Sequence, residues 1–542
     1  MGNPHCPGRH KNPESAVFLS HLLFCYRNTF MVSIDGSGLA LSDIVKVARD
    51  KEQVVLSENG RKAIETSRQF LNIIVATDRP VYGINTGFGI FSDQRIPHDA
   101  SATLSRNLIL SHAVGTGTSL PEEVVRAAML VRANTLAKGF SGVRVEIVQT
   151  ILDMLNSGVT PEIPSQGSLG SSGDLCPLSH MALVFTTDEA DRECDSGQAI
   201  FQGKMMDGKT AMEAAGLTRI VLGPKEGLAL NNGATFSAAI AALAIIDAEY
   251  YLDLADYALA MTLEGVMGCS AAFDIRLHMA RGHPGQIKVA EHVRQITAGS
   301  TMLDNSGRIQ DAYSLRCAPQ VMGAARDTIA FVREVVQREV NAATDNPLIF
   351  SPAEVISGGN FHGEPVGMAM DYLGIAMSEV AAISERRIFR LTDNKLNAGL
   401  PPMLVDSGAA AGLNSGLMMP QYTAVALVLE NQTLAGPDSV HSLPTSAEQE
   451  DHNANSMTAA RHARQILENT AHVLAIELYT AARALDLRLR EKKDLHLGGG
   501  TQRVYRRLRD EVPYQPGDAW WGPEIQRVHA LINQRAFVLL EH

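Results

Sequence analysis

The chain of 542 residues carries 59 acidic against 47 basic residues, and the resulting formal charge of −12 points away from nucleic acid and anionic membrane surfaces as partners. A hydrophobic share of 45% with only two Trp suits one large helical unit and leaves ample chain for a core. Six cysteines without paired spacing or a CxxC, in a chain this long, exclude a disulfide scaffold and set the expectation of a reducing, cytoplasmic compartment.

Residues 1–30 differ from the rest. Pro4, Pro7 and Pro13 lie among basic residues ahead of a short apolar run, Ala16 to Tyr26, which Arg27 follows. The run is a poor secretory signal, and Cys6 stands where N-myristoylation needs Ser or Thr. We therefore expect a dispensable or disordered extension before a domain start at Met31. From Leu41 to about Ile74 the spacing predicts amphipathic helix, stopped by Asp78-Arg79-Pro80. Val81-Tyr82-Gly83-Ile84-Asn85-Thr86-Gly87-Phe88-Gly89 then sets three glycines around an aromatic, a loop that must move or approach something closely.

Helical spacing returns from Ala100 to Gly158. Residues 181–225 read as short mixed elements punctuated by Gly203, Asp207-Gly208 and Gly223-Pro224. Beyond Leu228 the pattern is almost wholly helical, with long stretches over 238–267, 318–343 and 455–489. Val366, Met370, Leu373, Met377 and Val380 form the seam of a bundle helix. The apolar segment that begins near Ala238 meets Asp247, Glu249, Asp253 and Asp256 too soon to cross a bilayer. The expected class is mainly α: a mixed N-terminal domain over 31–235, then a helical bundle with a C-terminal helical region over 236–542.

The densest chemistry lies in Gly167-Ser168-Leu169-Gly170-Ser171-Ser172-Gly173-Asp174. By itself this is a Gly/Ser loop running into a helix at Asp174, able to hold an anion on its backbone N–H groups. It lacks Gly-Lys-Ser/Thr and a preceding β-rich run, so neither phosphate-loop pattern is met. Gln310, Tyr313 and Arg316 stand three apart, so a helix there places them on one face, and a guanidinium at its end suits bidentate capture of a carboxylate. An ordinary ion-paired helix face has the same spacing. Taken singly, Tyr82 reads as a tyrosine packed at a loop entrance, His112 as a structural histidine, Asn232 before Gly233 as a turn residue, and Phe361 as core. His112, His180, His362 and His452 are far apart in sequence, without HxxxH or clustered carboxylates, so no metal site is expected.

Ser171-Ser172-Gly173 with its glycine-rich surroundings, the Tyr82 loop, Arg106 to Gly115, Gln310 to Gln320 and Gln449 to His452 together resemble the aromatic amino acid ammonia-lyase family over about residues 31–540. Within that family the motif choices are similar to those of histidine lyases. The resemblance implies a prosthetic group, 4-methylidene-imidazol-5-one (MIO), made from the chain itself with no external cofactor. The N of Gly173 closes on the carbonyl carbon of Ser171 and two waters leave, the second taking the Ser172 hydroxyl. A residue without Cβ tolerates that compression most easily. Ser171 stands where the family usually has Ala; its carbonyl enters the ring and its side chain stays outside.

The resemblance assigns further roles. Tyr82 becomes the base for a hydrogen on Cβ, a phenol whose pKa nearby positive charge or hydrogen bonds must lower. Asn232 holds the MIO carbonyl, and Tyr313 is a further catalytic residue. Arg316 and Gln310 bind the substrate, Ser111 and His112 form a selector pair, and Phe361 lines the site. Glu450 favours an imidazole over a benzene ring, a charge-assisted hydrogen bond being worth about 1.5–3 kcal/mol. Asn453-Ala454-Asn455 makes the run to Ser456-Met457 two residues longer than is usual. The implied fold is a long-helix bundle of the aspartase/fumarase type, assembled as a homotetramer whose active sites are shared between subunits. The expected reaction takes ammonia from L-histidine to give urocanate. Its alternatives are a tyrosine or phenylalanine lyase, a 2,3-aminomutase, and a helical scaffold that has lost the ring.

Overall fold

The computed structural model describes residues 31–77, 80–87, 89–91 and 93–540. The extension expected over 1–30 lies outside them, as do Asp78, Arg79 and Phe88. The run read as one helix from Leu41 is two, Leu41–Arg49 and Glu58–Val75. Between them Val54–Leu56 pairs in parallel with Val32–Ile34, Val32 opposite Val54. Lys51 takes φ 57° just past the first helix, and the adjacent β-branched Val54 and Val55 favour extended backbone. Ser57 then restarts the helix, its Oγ accepting from the Gly60 N–H at 3.0 Å.

The stretch read as helical from Ala100 to Gly158 holds the helices Ser101–His112, Glu122–Ala137 and Val145–Ser157, but the strand Thr116–Ser119, paired antiparallel with Pro164–Gln166, interrupts it; Gly158 closes the last helix at φ 85°. In Glu122–Ala137 every residue from Val124 onward is buried, as befits a helix at the centre of a core. Its two arginines find carbonyl partners: Arg126 donates to Val47 and Leu155, and Arg132 to Ala229 and Asn232. Residues 181–225 are mixed as expected, with a hairpin of Gln198–Phe201 and Lys204–Asp207 turned by Gln202 and Gly203 at positive φ. Asp207-Gly208, read as a turn, opens the short helix Gly208–Ala214 instead.

The bundle consists of Thr235–Gly265, Ala318–Glu339, Glu364–Thr392, Met418–Leu434 and Ser456–Glu491. All five seam residues of Glu364–Thr392 are buried. Glu477 ties the bundle together: its fully buried carboxylate accepts from Arg387 at 2.5 and 2.7 Å, from Thr262 at 2.9 Å and from Ser384 at 2.5 Å. Three helices thus share one satisfied charge, the condition under which a buried ion pair is tolerated. The helix Glu364–Thr392, with mean hydropathy 1.3, is long and apolar enough to cross a membrane, but 72% of that stretch is buried inside the protein. The core is continuous across residue 235, where the mixed part meets the first bundle helix.

Candidate active site

The Gly167–Asp174 loop sits where four helices begin. Asp174 precedes Leu175–Phe185, Ala234 precedes Thr235–Gly265, Gly363 precedes Glu364–Thr392 and Asn455 precedes Ser456–Glu491. Gly363 N–H donates to Gly170 O at 2.9 Å, Asn455 N–H to Leu169 O at 2.8 Å, and Asp174 N–H to Gly233 O at 2.9 Å. Four helix N-termini around one loop make its surroundings electropositive, a setting that favours negative charge developing there. The helix expected at Asp174 starts at Leu175, and the Asp174 side chain does not cap it. Its carboxylate turns to Ser168 Oγ at 2.7 Å and to Ser237 N at 2.8 Å, in the first turn of Thr235–Gly265.

Gly173 and Gly233 pack backbone on backbone. Gly173 has φ 78°, and a Cβ placed on it would lie 2.1 Å from the Gly233 carbonyl carbon. The Ser172 carbonyl accepts from Asn232 Nδ2 at 2.8 Å and from Gly233 N at 3.2 Å. Asn232 is fixed in turn by Arg132, which donates to its carbonyl at 2.8 Å. The tripeptide Ser171-Ser172-Gly173 therefore combines a glycine with no room for a side chain and a donor already on the Ser172 carbonyl.

Ser171, Ser172 and Asn232 line a cavity of about 1160 Å³ together with Tyr82, Ser111, His112, Phe361 and Glu450. Glu450 Oε2 accepts from Ser171 Oγ at 2.8 Å. His112 Nδ1 and Ser111 Oγ lie 3.0 Å apart, and burial pushes the His112 imidazole below its ordinary pKa. Burial also pushes the Tyr82 phenol up, and the Glu450 charge adds to the rise, against a hydrogen bond to the Gly89 backbone that lowers it. This runs opposite to the direction expected from sequence. The reason is visible in the lining, which holds no Lys or Arg among its described residues.

Gln310, Tyr313 and Arg316 do not line this cavity. Nor do they share a helix face, because the helix there spans only Tyr313–Arg316 and Gln310 precedes it in irregular chain. Tyr313 is 70% exposed, and the Arg316 guanidinium lies over its ring at 4.8 Å while Nε donates to Asp311 O at 2.8 Å. Within the chain, eight of the predicted side chains converge on the cavity, Gly173 supports them from behind, and these three stand apart, Gln310 and Tyr313 exposed and Arg316 half-buried.

A family model described as aromatic amino acid lyase matches residues 39–510. The chain belongs to the aromatic amino acid lyase family. This lyase is 51% identical over 484 residues to the histidine ammonia-lyase of Caldanaerobacter subterraneus, covering 89% of this chain and 92% of that one. It is 48% identical to that of Alkaliphilus oremlandii over the same shares. Among solved structures, histidine ammonia-lyase from Trypanosoma cruzi matches with TM-score 0.84 at 37% identity over 94% of each chain. Tyrosine aminomutase from Streptomyces globisporus matches with TM-score 0.87 at 33% identity, over 93% of this chain and 97% of that one.

The lyase also brings in residues that sequence spacing had left apart. His362 and His452 line the cavity with rings 6.0 Å apart and nearly parallel, and His362 Nε2 lies 3.1 Å from His452 O. His362 directly follows Phe361, and His452 ends the Gln449 to His452 motif already singled out. Among the described residues two groups of His and carboxylates could hold a cation by spacing alone, both outside the lining. In one, Asp253 and Asp256 already accept from Arg326 at 2.8 and 2.5 Å. In the other, Glu468 meets His472 and His529, whose rings stack at 3.7 Å.

Proposed function

We propose that this carbon–nitrogen lyase takes ammonia from L-histidine to give urocanate. The observation that carries the reading is Glu450, an anionic carboxylate half-buried in the cavity and hydrogen-bonded to the tripeptide Ser171-Ser172-Gly173. A carboxylate there accepts from an imidazole N–H and has nothing to offer a benzene ring. The histidine ammonia-lyases to which the chain is 48–51% identical support the same substrate.

Ser171, Ser172 and Gly173 would form MIO, with Asn232 holding its carbonyl through the contact already made to Ser172 O. When formed, the group supplies an electrophilic methylene that makes the substrate amine a better leaving group. The remaining work falls to side chains. Glu450 and His112 orient the ring, Phe361 packs against it, and Tyr82 takes the proton from Cβ. The four helix N-termini favour the negative charge that this proton transfer leaves behind.

A substrate carboxylate needs a cation, and the described residues of the lining include no Lys or Arg. We assign it to Arg316, with Gln310 and Tyr313, from another copy of the chain in a homotetramer. The exposure of Tyr313 and of Ile309, next to Gln310 in sequence and fully exposed, supports that assignment. The cytoplasm is the compartment that fits an enzyme with these free cysteines.

The test is the initial rate of urocanate formation from L-histidine, read by ultraviolet absorbance beside L-phenylalanine and L-tyrosine, with products separated by chromatography. A histidine signal yielding urocanate supports the reading. Turnover of another amino acid alone, or a β-amino acid product, overturns it in favour of a different lyase or an aminomutase. An intact mass lighter than the sequence by two waters tests the ring separately.

A further inference from the structure

Ring closure uses the backbone of residue 171 and gives its side chain no chemical task. The Ser171 hydroxyl is nevertheless buried in the cavity wall, the residue 6% exposed, and donates to Glu450 Oε2 at 2.8 Å across 279 residues of sequence. Glu450 needs such an anchor. It follows Ser446, Ala447 and Glu448, three successive residues at positive φ of 51°, 51° and 66°. Backbone bonds close that turn, a pair between Thr445 and Glu450 of 2.9 and 3.2 Å and one from Gln449 N–H to Ser446 O of 3.1 Å, and these hold the main chain and not the carboxylate. The glutamate side chain is flexible, and a charge that reads a substrate ring must be held in one orientation to discriminate. Hydrogen bonding of Oε2 to Ser171 leaves Oε1 to accept from a ligand.

We propose that Ser171 is a positioning residue for specificity, its hydroxyl holding the Glu450 carboxylate where it accepts a substrate imidazole N–H. This rests on the histidine reading. The same backbone that supplies the ring thereby sets the choice of substrate.

The experiment measures, by calorimetry, binding of 3-(imidazol-4-yl)propionate and 3-phenylpropionate, substrate-shaped acids without the reacting amine. The proteins compared are the wild type, Ser171→Ala, Ser171→Thr and Glu450→Gln, each first weighed to establish loss of two waters. The expected wild type prefers the imidazole acid. Ser171→Ala narrows that preference about tenfold through the imidazole acid alone, the size of one hydrogen bond to a charged group. Ser171→Thr, which keeps the hydroxyl, restores it, and in the Glu450→Gln background Ser171→Ala changes nothing further. A preference that survives Ser171→Ala, or an equal loss for both acids, overturns the proposal while leaving the histidine reading intact. A wild type without preference removes the histidine reading, and the proposal with it. Should the alanine chain keep its linear mass, Ser171→Cys, similar in size and a far weaker donor, takes its place in the same comparison.

Discussion

Asp174, the last residue of the tripeptide loop, caps a helix that is not its own: its carboxylate accepts from Ser237 N at 2.8 Å and Ser237 Oγ at 2.9 Å, in the first turn of Thr235–Gly265. The same carboxylate accepts from Ser168 at 2.7 Å, so the two ends of the loop are fastened to each other and to the bundle. Burial pushes the Asp174 carboxyl upward, and the hydrogen bonds from Ser237 and Ser168 oppose it. Asp174→Ala strands buried donors, and the expected loss is about 3 kcal/mol of stability, read from the urea midpoint. The fraction of chains lighter by two waters should fall as well. A stability within experimental error of the wild type would show that Asp174 does not fasten the loop.

Gly173→Ala asks for a methyl 2.1 Å from the Gly233 carbonyl carbon and 2.4 Å from its N and Cα, at φ 78°. Backbone cannot yield as the end of a side chain does, so the loop must open, and the expected product is a chain of linear mass without turnover. Gly203→Ala is the control. It has nearly the same φ, 75°, with nothing within 4 Å, and strain alone costs about 1 kcal/mol there. Ring formation in both variants would separate the close approach of Gly233 from the chemistry.

Much of this architecture was legible in the residues. The long helices follow from apolar spacing, whereas the tripeptide, the Tyr82 loop and Glu450 stand out through the family resemblance that their motifs carry together, each taken singly having an ordinary structural reading. What failed did so for physical reasons. Val54-Val55-Leu56 is too short a run for periodicity to distinguish strand from helix, and only its pairing with Val32–Ile34 settles it. Asp174 has the right type and place to cap its own helix, but a neighbouring helix offers better donors. Gln310 to Arg316 has helical spacing without a helix long enough to use it.

The role proposed for Tyr82 as base carries a pH signature. A buried phenol held above its ordinary pKa is protonated at neutral pH, and a base works only when deprotonated, so kcat/KM should rise with pH through the neutral and alkaline range. A cation brought to the site by another subunit would lower that pKa and move the rise to lower pH. Tyr82→Phe should reduce kcat by roughly 10²–10⁴ and remove the rise while the fold is unchanged. Near-normal turnover with the same profile would take Tyr82 out of the role of base.

The proposed sharing of a site between subunits is open to a complementation test. If Tyr82 and Arg316 of one site come from different subunits, chains inactivated at either residue complement each other. Tyr82→Phe and Arg316→Ala, each nearly inactive alone, are unfolded together in equal amounts and refolded, or co-expressed, and turnover is compared with the separate parents. In a randomly mixed closed assembly a site is intact when its Tyr82 chain and its Arg316 chain each carry the native residue, which happens in about one quarter of sites. Activity should therefore return to about a quarter of the wild-type value and titrate with mixing ratio, passing through a maximum at equal amounts. If the two residues instead served one site within a single chain, every site would carry one lesion, and no ratio would restore turnover.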